Sequence, residues 1–164
     1  MKSKPLVLVV EDDKTQSALV VEIINETGLY RAIPAYDGEH AFQVLEDNQR
    51  GFNFLSNRVA CILLDWQMPR MNGEVFIKRL RTEEGRSPFK RHIPIVIFSA
   101  YSDKERLQLA KDPTLGLASG YIVKPFDKEE LLTLLKRIIV HQEAEILREI
   151  LIEREARWVK ELRK

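Results

Sequence analysis

Four short apolar runs punctuate the chain, at residues 6–10, 60–64, 95–98 and 121–123. Each is continuous rather than alternating, rich in Val, Ile or Leu, and closed by polar residues. Strands covered on both faces of a parallel sheet carry this signature. A weaker run at 30–35 contains Pro34. Proline cannot donate to a ladder, so this run predicts a strand at the sheet edge.

Helical spacing fills the intervals. Residues 14–27 place Leu19, Val20, Ile23 and Ile24 on one predicted stripe, and Gly28 offers a stop. Residues 39–48 turn Ala41, Phe42 and Leu45 inward, and residues 73–82 do the same with Val75, Phe76 and Leu80. A fourth helix is predicted over 103–111, opening at Ser102 and closing before Pro113. A fifth starts at Asp127, where Lys128, Glu129 and Glu130 make a capped, acidic first turn. Strand and helix thus alternate five times. That order predicts a doubly wound, five-stranded parallel α/β sheet with right-handed crossovers.

Composition narrows the function. The 164 residues suit one domain over 1–139 and an appendage over 140–164. A net charge of +1 argues against a dedicated nucleic-acid binder, which needs a basic excess on one face. Cys61 is the lone cysteine and sits in an apolar run, so neither a disulfide nor a thiolate cluster within the chain is available. The first apolar run is too short for a signal peptide, and Glu11, Asp12 and Asp13 follow at once. No apolar stretch approaches the ~18 residues of a membrane span. The expected setting is cytoplasmic, without membrane contact.

In doubly wound folds, ligands bind beyond the carboxyl ends of the strands. Polar groups gather at those ends: Glu11, Asp12 and Asp13 after the first run, Asp65 after the third, Ser99 after the fourth, and Lys124 after the fifth. Each alone is an ordinary loop, cap or surface residue. Together they are complementary. Carboxylates crowded on one rim repel, and a hard divalent ion such as Mg²⁺ relieves the conflict through oxygen ligands. Lys124 adds a point charge and Ser99 a hydroxyl, both suited to phosphoryl oxygens. His40, His92 and His141 show no ligand spacing.

Residues 9–13, 63–73, 98–100 and 121–126 resemble the response-regulator receiver domains of two-component signalling. The most specific stretch is Asp65, Met68, Pro69, Met71 and Gly73, followed later by Lys124, Pro125 and Phe126. The resemblance covers residues 4–139 and implies the flavodoxin-like (βα)5 fold. It implies Asp65 as phosphoacceptor, with Asp12, Asp13, Asp65 and the backbone carbonyl of Gln67 holding Mg²⁺. It further implies Ser99 and Lys124 on the phosphoryl group, a cis Lys124–Pro125 peptide, and Ser99 with Tyr121 as the switch pair. The implied partner is a sensor histidine kinase or phosphotransfer protein. The implied role is a switch with slow self-dephosphorylation rather than a turnover enzyme.

Residues 51–58, 83–92 and 113–119 look longer than such a domain needs. Beyond residue 139 the helical pattern continues, without Gly or Pro, as far as Lys164. Val140, Ala144, Leu147, Leu151, Trp158 and Leu162 form a broken stripe interrupted by Arg154. This predicts an extended C-terminal helix that pairs in a homodimer or links to an output domain beyond Lys164. A dehalogenase-like phosphatase is the rival reading. It needs an acid two residues after the nucleophile, where this chain has Gln67.

Overall fold

The computed structural model describes residues 4–50, 56–86, 92–99 and 118–140. The main sheet has five parallel strands: β1 (Leu6–Val10), β2 (Arg31–Ala35), β5 (Val59–Asp65), β6 (Ile95–Ser99) and β7 (Gly120–Val123). Their spatial order is β2-β1-β5-β6-β7. The Pro34 strand lies at the edge, where a missing N–H removes no ladder bond from a central pair. The order reverses direction between β1 and β5, so the switch point falls beside the end of β1.

Side-chain alternation splits the interior into two layers. Leu8, Val10, Ile62, Leu64, Ile95 and Ile97 meet Phe42 and Leu45 of α2 (Gly38–Asp47) and Phe76, Ile77 and Leu80 of α3 (Gly73–Gly85). On the opposite face, Val7, Val9, Cys61, Leu63, Val96 and Phe98 meet α1 (Lys14–Glu26) through Val20 and Ile24. Leu131, Leu135 and Ile138 of α4 (Lys128–Ile139) complete that layer. Burial on both faces explains why the strand sequences do not alternate in polarity.

The helices begin where short polar side chains satisfy the free N–H groups of the first turn. Asp37 accepts from the His40 N–H at 2.8 Å, Asn72 from Val75 at 2.9 Å, and Asp127 from Glu130 at 2.7 Å. Gly28, with φ 66°, terminates α1 in the left-handed region that glycine tolerates.

Three details differ from the sequence reading. Leu19 is 58% exposed, because α1 buries positions 17, 20 and 24, and residue 19 lies on the far side of that 3.6-residue repeat. Val75 is exposed for the same reason, since α3 buries Phe76, Ile77 and Leu80. The interval after α2 carries a small antiparallel ribbon of β3 (Gln49–Arg50) and β4 (Ser56–Asn57), outside the main sheet. The expected helix over 103–111 and the extension over 141–164 lie outside the described residues.

Candidate functional site

The site forms where β1, β5, β6 and β7 end. Strand alternation sets which face each of its side chains occupies. Positions 7, 9 and 11, positions 61, 63 and 65, and positions 120, 122 and 124 share the sheet face that packs on α1 and α4. Glu11, Asp65 and Lys124 therefore emerge together. Ser99 continues the other face, after Ile95 and Ile97, and Tyr121 packs against that same layer.

The geometry follows this assignment. One carboxylate oxygen from each of Glu11, Asp12 and Asp65 lies within 4.8 Å of the others. Lys124 Nζ stands 2.6 Å from Glu11 Oε2 and 3.3 Å from Asp65 Oδ1. Glu11 is 2% exposed, and Asp65 6%. The second oxygen of Glu11, Oε1, accepts the Asp13 N–H at 3.2 Å, which fixes that carboxylate from both sides. Burial pushes the Asp65 carboxyl up to about 6, from an ordinary 3.8. Lys124 opposes that shift, Glu11 adds to it, and a hydrogen bond from the Gln67 backbone opposes it weakly.

Asp13 is placed differently from the sequence expectation. Its carboxylate is outside the group of three and caps α1, accepting from Thr15 at 2.8 Å and Gln16 at 3.0 Å. Those N–H groups, Gln16 first, hold its carboxyl below the ordinary range. Glu11 takes the place beside Asp12 instead. A signal for this was available: a helix starting at Lys14 makes Asp13 the N-cap.

Ser99 Oγ is fully buried and has no hydrogen-bond partner among the described residues. An unmatched hydroxyl of this kind is costly unless a further acceptor arrives. The strand ends around it are rigidly joined: Ser99 is in register with Val123, and the Lys124 N–H donates to the Ser99 carbonyl at 2.8 Å. Tyr121, half-buried, is in register with Ile97. The Lys124–Pro125 peptide is cis. Gln67 is exposed two residues beyond Asp65.

Surrounding packing holds the Asp65 loop in place. Gly73 N–H bonds the Trp66 carbonyl at 3.0 Å, and a Cβ at position 73 would lie 2.7 Å from the Trp66 ring. Arg70 adopts φ 68° and reaches Asp37 Oδ2 at 2.8 Å, tying this loop to the start of α2. The residues fit a hard divalent cation: three carboxylates against one ammonium leave an excess of oxygen donors and negative charge. No helix among the described residues is long and apolar enough to cross a membrane.

Known proteins resemble this chain in both sequence and fold. The chain is 29% identical over 132 residues to chemotaxis protein CheY-3 of Vibrio cholerae, covering 80% of this chain and 89% of that one. It is 27% identical over 143 residues to hybrid signal transduction histidine kinase D of Dictyostelium discoideum. That match covers 87% of this chain but only 8% of the kinase. Among solved structures, response regulator protein TrrA of Thermotoga maritima, in complex with Mg²⁺–BeF, superposes with a TM-score of 0.61 at 25% identity. The superposition covers 83% of this chain and 99% of TrrA. Residues 7–136 match the response regulator receiver domain family, and the chain belongs to it.

Proposed function

We propose that Asp65 accepts a phosphoryl group from a phosphohistidine on a partner kinase or phosphotransfer protein. The observation that carries this reading is the convergence of Glu11, Asp12, Asp65 and Lys124 on one rim, with Ser99, whose buried hydroxyl has no partner among the described residues, at the end of the neighbouring strand. An Asp65 oxygen attacks phosphorus in line, the P–N bond breaks, and the imidazole leaves with its electron pair. Lys124 neutralises charge on the transferred oxygens, and Ser99 donates to one of them. Glu11, Asp12 and Asp65 would hold Mg²⁺, with the Gln67 carbonyl as a further candidate ligand. When bound, the ion compensates charge on the phosphoryl oxygens. That the similar TrrA is a response regulator solved in complex with Mg²⁺–BeF supports the assignment.

The product is an acyl phosphate that hydrolyses slowly, so the domain acts as a switch. Phosphate favours the state in which the Ser99 hydroxyl donates to it. Ser99 and Tyr121 extend the same sheet layer, so a shift of one alters the space available to the other. After incubation with a phosphorylated kinase, wild type should carry label that strong acid, base and hydroxylamine all release, and Asp65→Asn none. Label retained on the Asn variant would remove Asp65 from the role.

Two further readings concern the whole protein. The sequence of 140–164 suits a homodimer through its apolar stripe, and sizing with and without beryllofluoride tests whether pairing is constitutive or switched. The low coverage of the Dictyostelium kinase shows that related domains serve as parts of longer chains, which favours an input module joined to an output domain as the second reading.

A further inference from the structure

Among the described residues, Lys124 has a third partner besides the carboxylates of Glu11 and Asp65. Its Nζ lies 4.4 Å from the centroid of the Phe98 ring. Phe98 is the residue in register with Asp65 on the neighbouring strand, and it shares the sheet face of Asp65 and Lys124. It is 2% exposed, and the Phe126 ring meets it edge-on at 6.4 Å and 82°. The ring that faces Lys124 is thus itself held by a residue two positions beyond Lys124.

We propose that Phe98 is a positioning residue for Lys124, its ring face fixing the ammonium where a phosphoryl oxygen on Asp65 can reach it. The inference rests on the functional reading given above. Two oxygen contacts alone leave an ammonium free to swing about the line that joins them. A third contact removes that freedom. The need is acute here, because Glu11 at 2.6 Å is nearer than Asp65 at 3.3 Å and competes for the same charge. The negative face of an aromatic ring attracts a cation, most strongly where water is excluded, and Lys124 is only 15% exposed. The contact costs no rearrangement when the phosphoryl group arrives, which is the benefit of a charge already in place. Phe98 also directly precedes Ser99, so movement of the Ser99 strand end carries the ring that holds Lys124.

The test separates ring electrostatics from ring size. Mono-, di- and trifluorinated phenylalanine at position 98 progressively empties the ring face with little change in shape. In the full chain with Mg²⁺ present, beryllofluoride affinity should fall stepwise, by about five- to thirtyfold across the series. A second readout is independent of function: the Lys124 ε-methylene protons should show a ring-current upfield shift that disappears in Phe98→Leu. Affinity unchanged across the series in a protein whose wild type binds beryllofluoride overturns the inference alone. A missing ring-current shift does the same. Wild type that fails to bind beryllofluoride overturns the functional reading and this inference with it.

Discussion

Replacing Asp65 with Asn should make the metal-free protein more stable. The Asp65 carboxyl is held at about 6 in the folded chain against an ordinary 3.8, chiefly because it is buried. A proton therefore binds the folded state more tightly than the unfolded one. Asp65 contributes no penalty below pH ~3.8, and its cost grows as pH rises through about 6, where the folded chain must also ionise. That gap corresponds to at most about 3 kcal/mol at pH 8, using about 1.4 kcal/mol per pH unit. Asn removes the charge while its carbonyl can still accept from Lys124, and Lys124 keeps Glu11 at 2.6 Å. The expected gain is about 1–3 kcal/mol at pH 8, or roughly 3–10 °C in Tm for a domain of this size. Urea unfolding of both proteins in chelator, at several pH values, measures it. The advantage of the Asn variant should shrink toward zero near pH 4, and millimolar Mg²⁺ should raise the wild type more than the variant. An Asn variant no more stable than wild type at pH 8, or an advantage independent of pH, would refute the account of a crowded acidic rim.

Three other outcomes follow from the same geometry. Lys124→Met leaves Glu11 and Asp65 buried together without their cation, so stability should fall by about 2–4 kcal/mol at pH 8 and recover on acidification, as followed by thermal unfolding. Gly73→Ala drives a methyl to 2.7 Å from the Trp66 ring and 3.0 Å from its Cα; since the latter is backbone and cannot swing away, a loss of about 1–3 kcal/mol and altered Trp66 fluorescence are expected. Cys61 is fully buried with its thiol pushed up to about 12, so a thiol reagent should label it in urea but not in the native protein, checked by mass spectrometry.

Much of this architecture was legible because two regularities coincide. Doubly buried strands announce themselves as unbroken apolar runs, and the fold rule then directs attention to the residues that end them. Asp65, Ser99 and Lys124 were found in this way, and the structure gathers them on one rim. The acidic triplet after β1 was harder. Three adjacent acids cannot be ranked by charge, and only helix capping separates Asp13 from Glu11. Glu84 carries no such signal, because residues 83–92 have the sequence of a connecting segment. Its carboxylate is buried in the last turn of α3, where it pairs with Arg81 at 2.6 Å. Phe98 looked like an ordinary core residue, since nothing in a linear pattern reveals which cation a ring will face. The β3–β4 ribbon is only two residues wide and has no periodicity to detect.

That Glu84–Arg81 pair has a use beyond its own neutralisation. Glu84 accepts the Ile93 N–H at 2.8 Å, and Arg81 donates to the Ile93 carbonyl at 3.0 Å, so both backbone groups of one residue are gripped by α3. The entry of β6 is therefore sutured to a helix instead of being suspended from the preceding connection. Peptides of varied length grafted between Gly85 and His92 should leave the far end of β6, and Ser99 with it, undisturbed, which makes this point of the sequence a natural port for an epitope or a reporter tag.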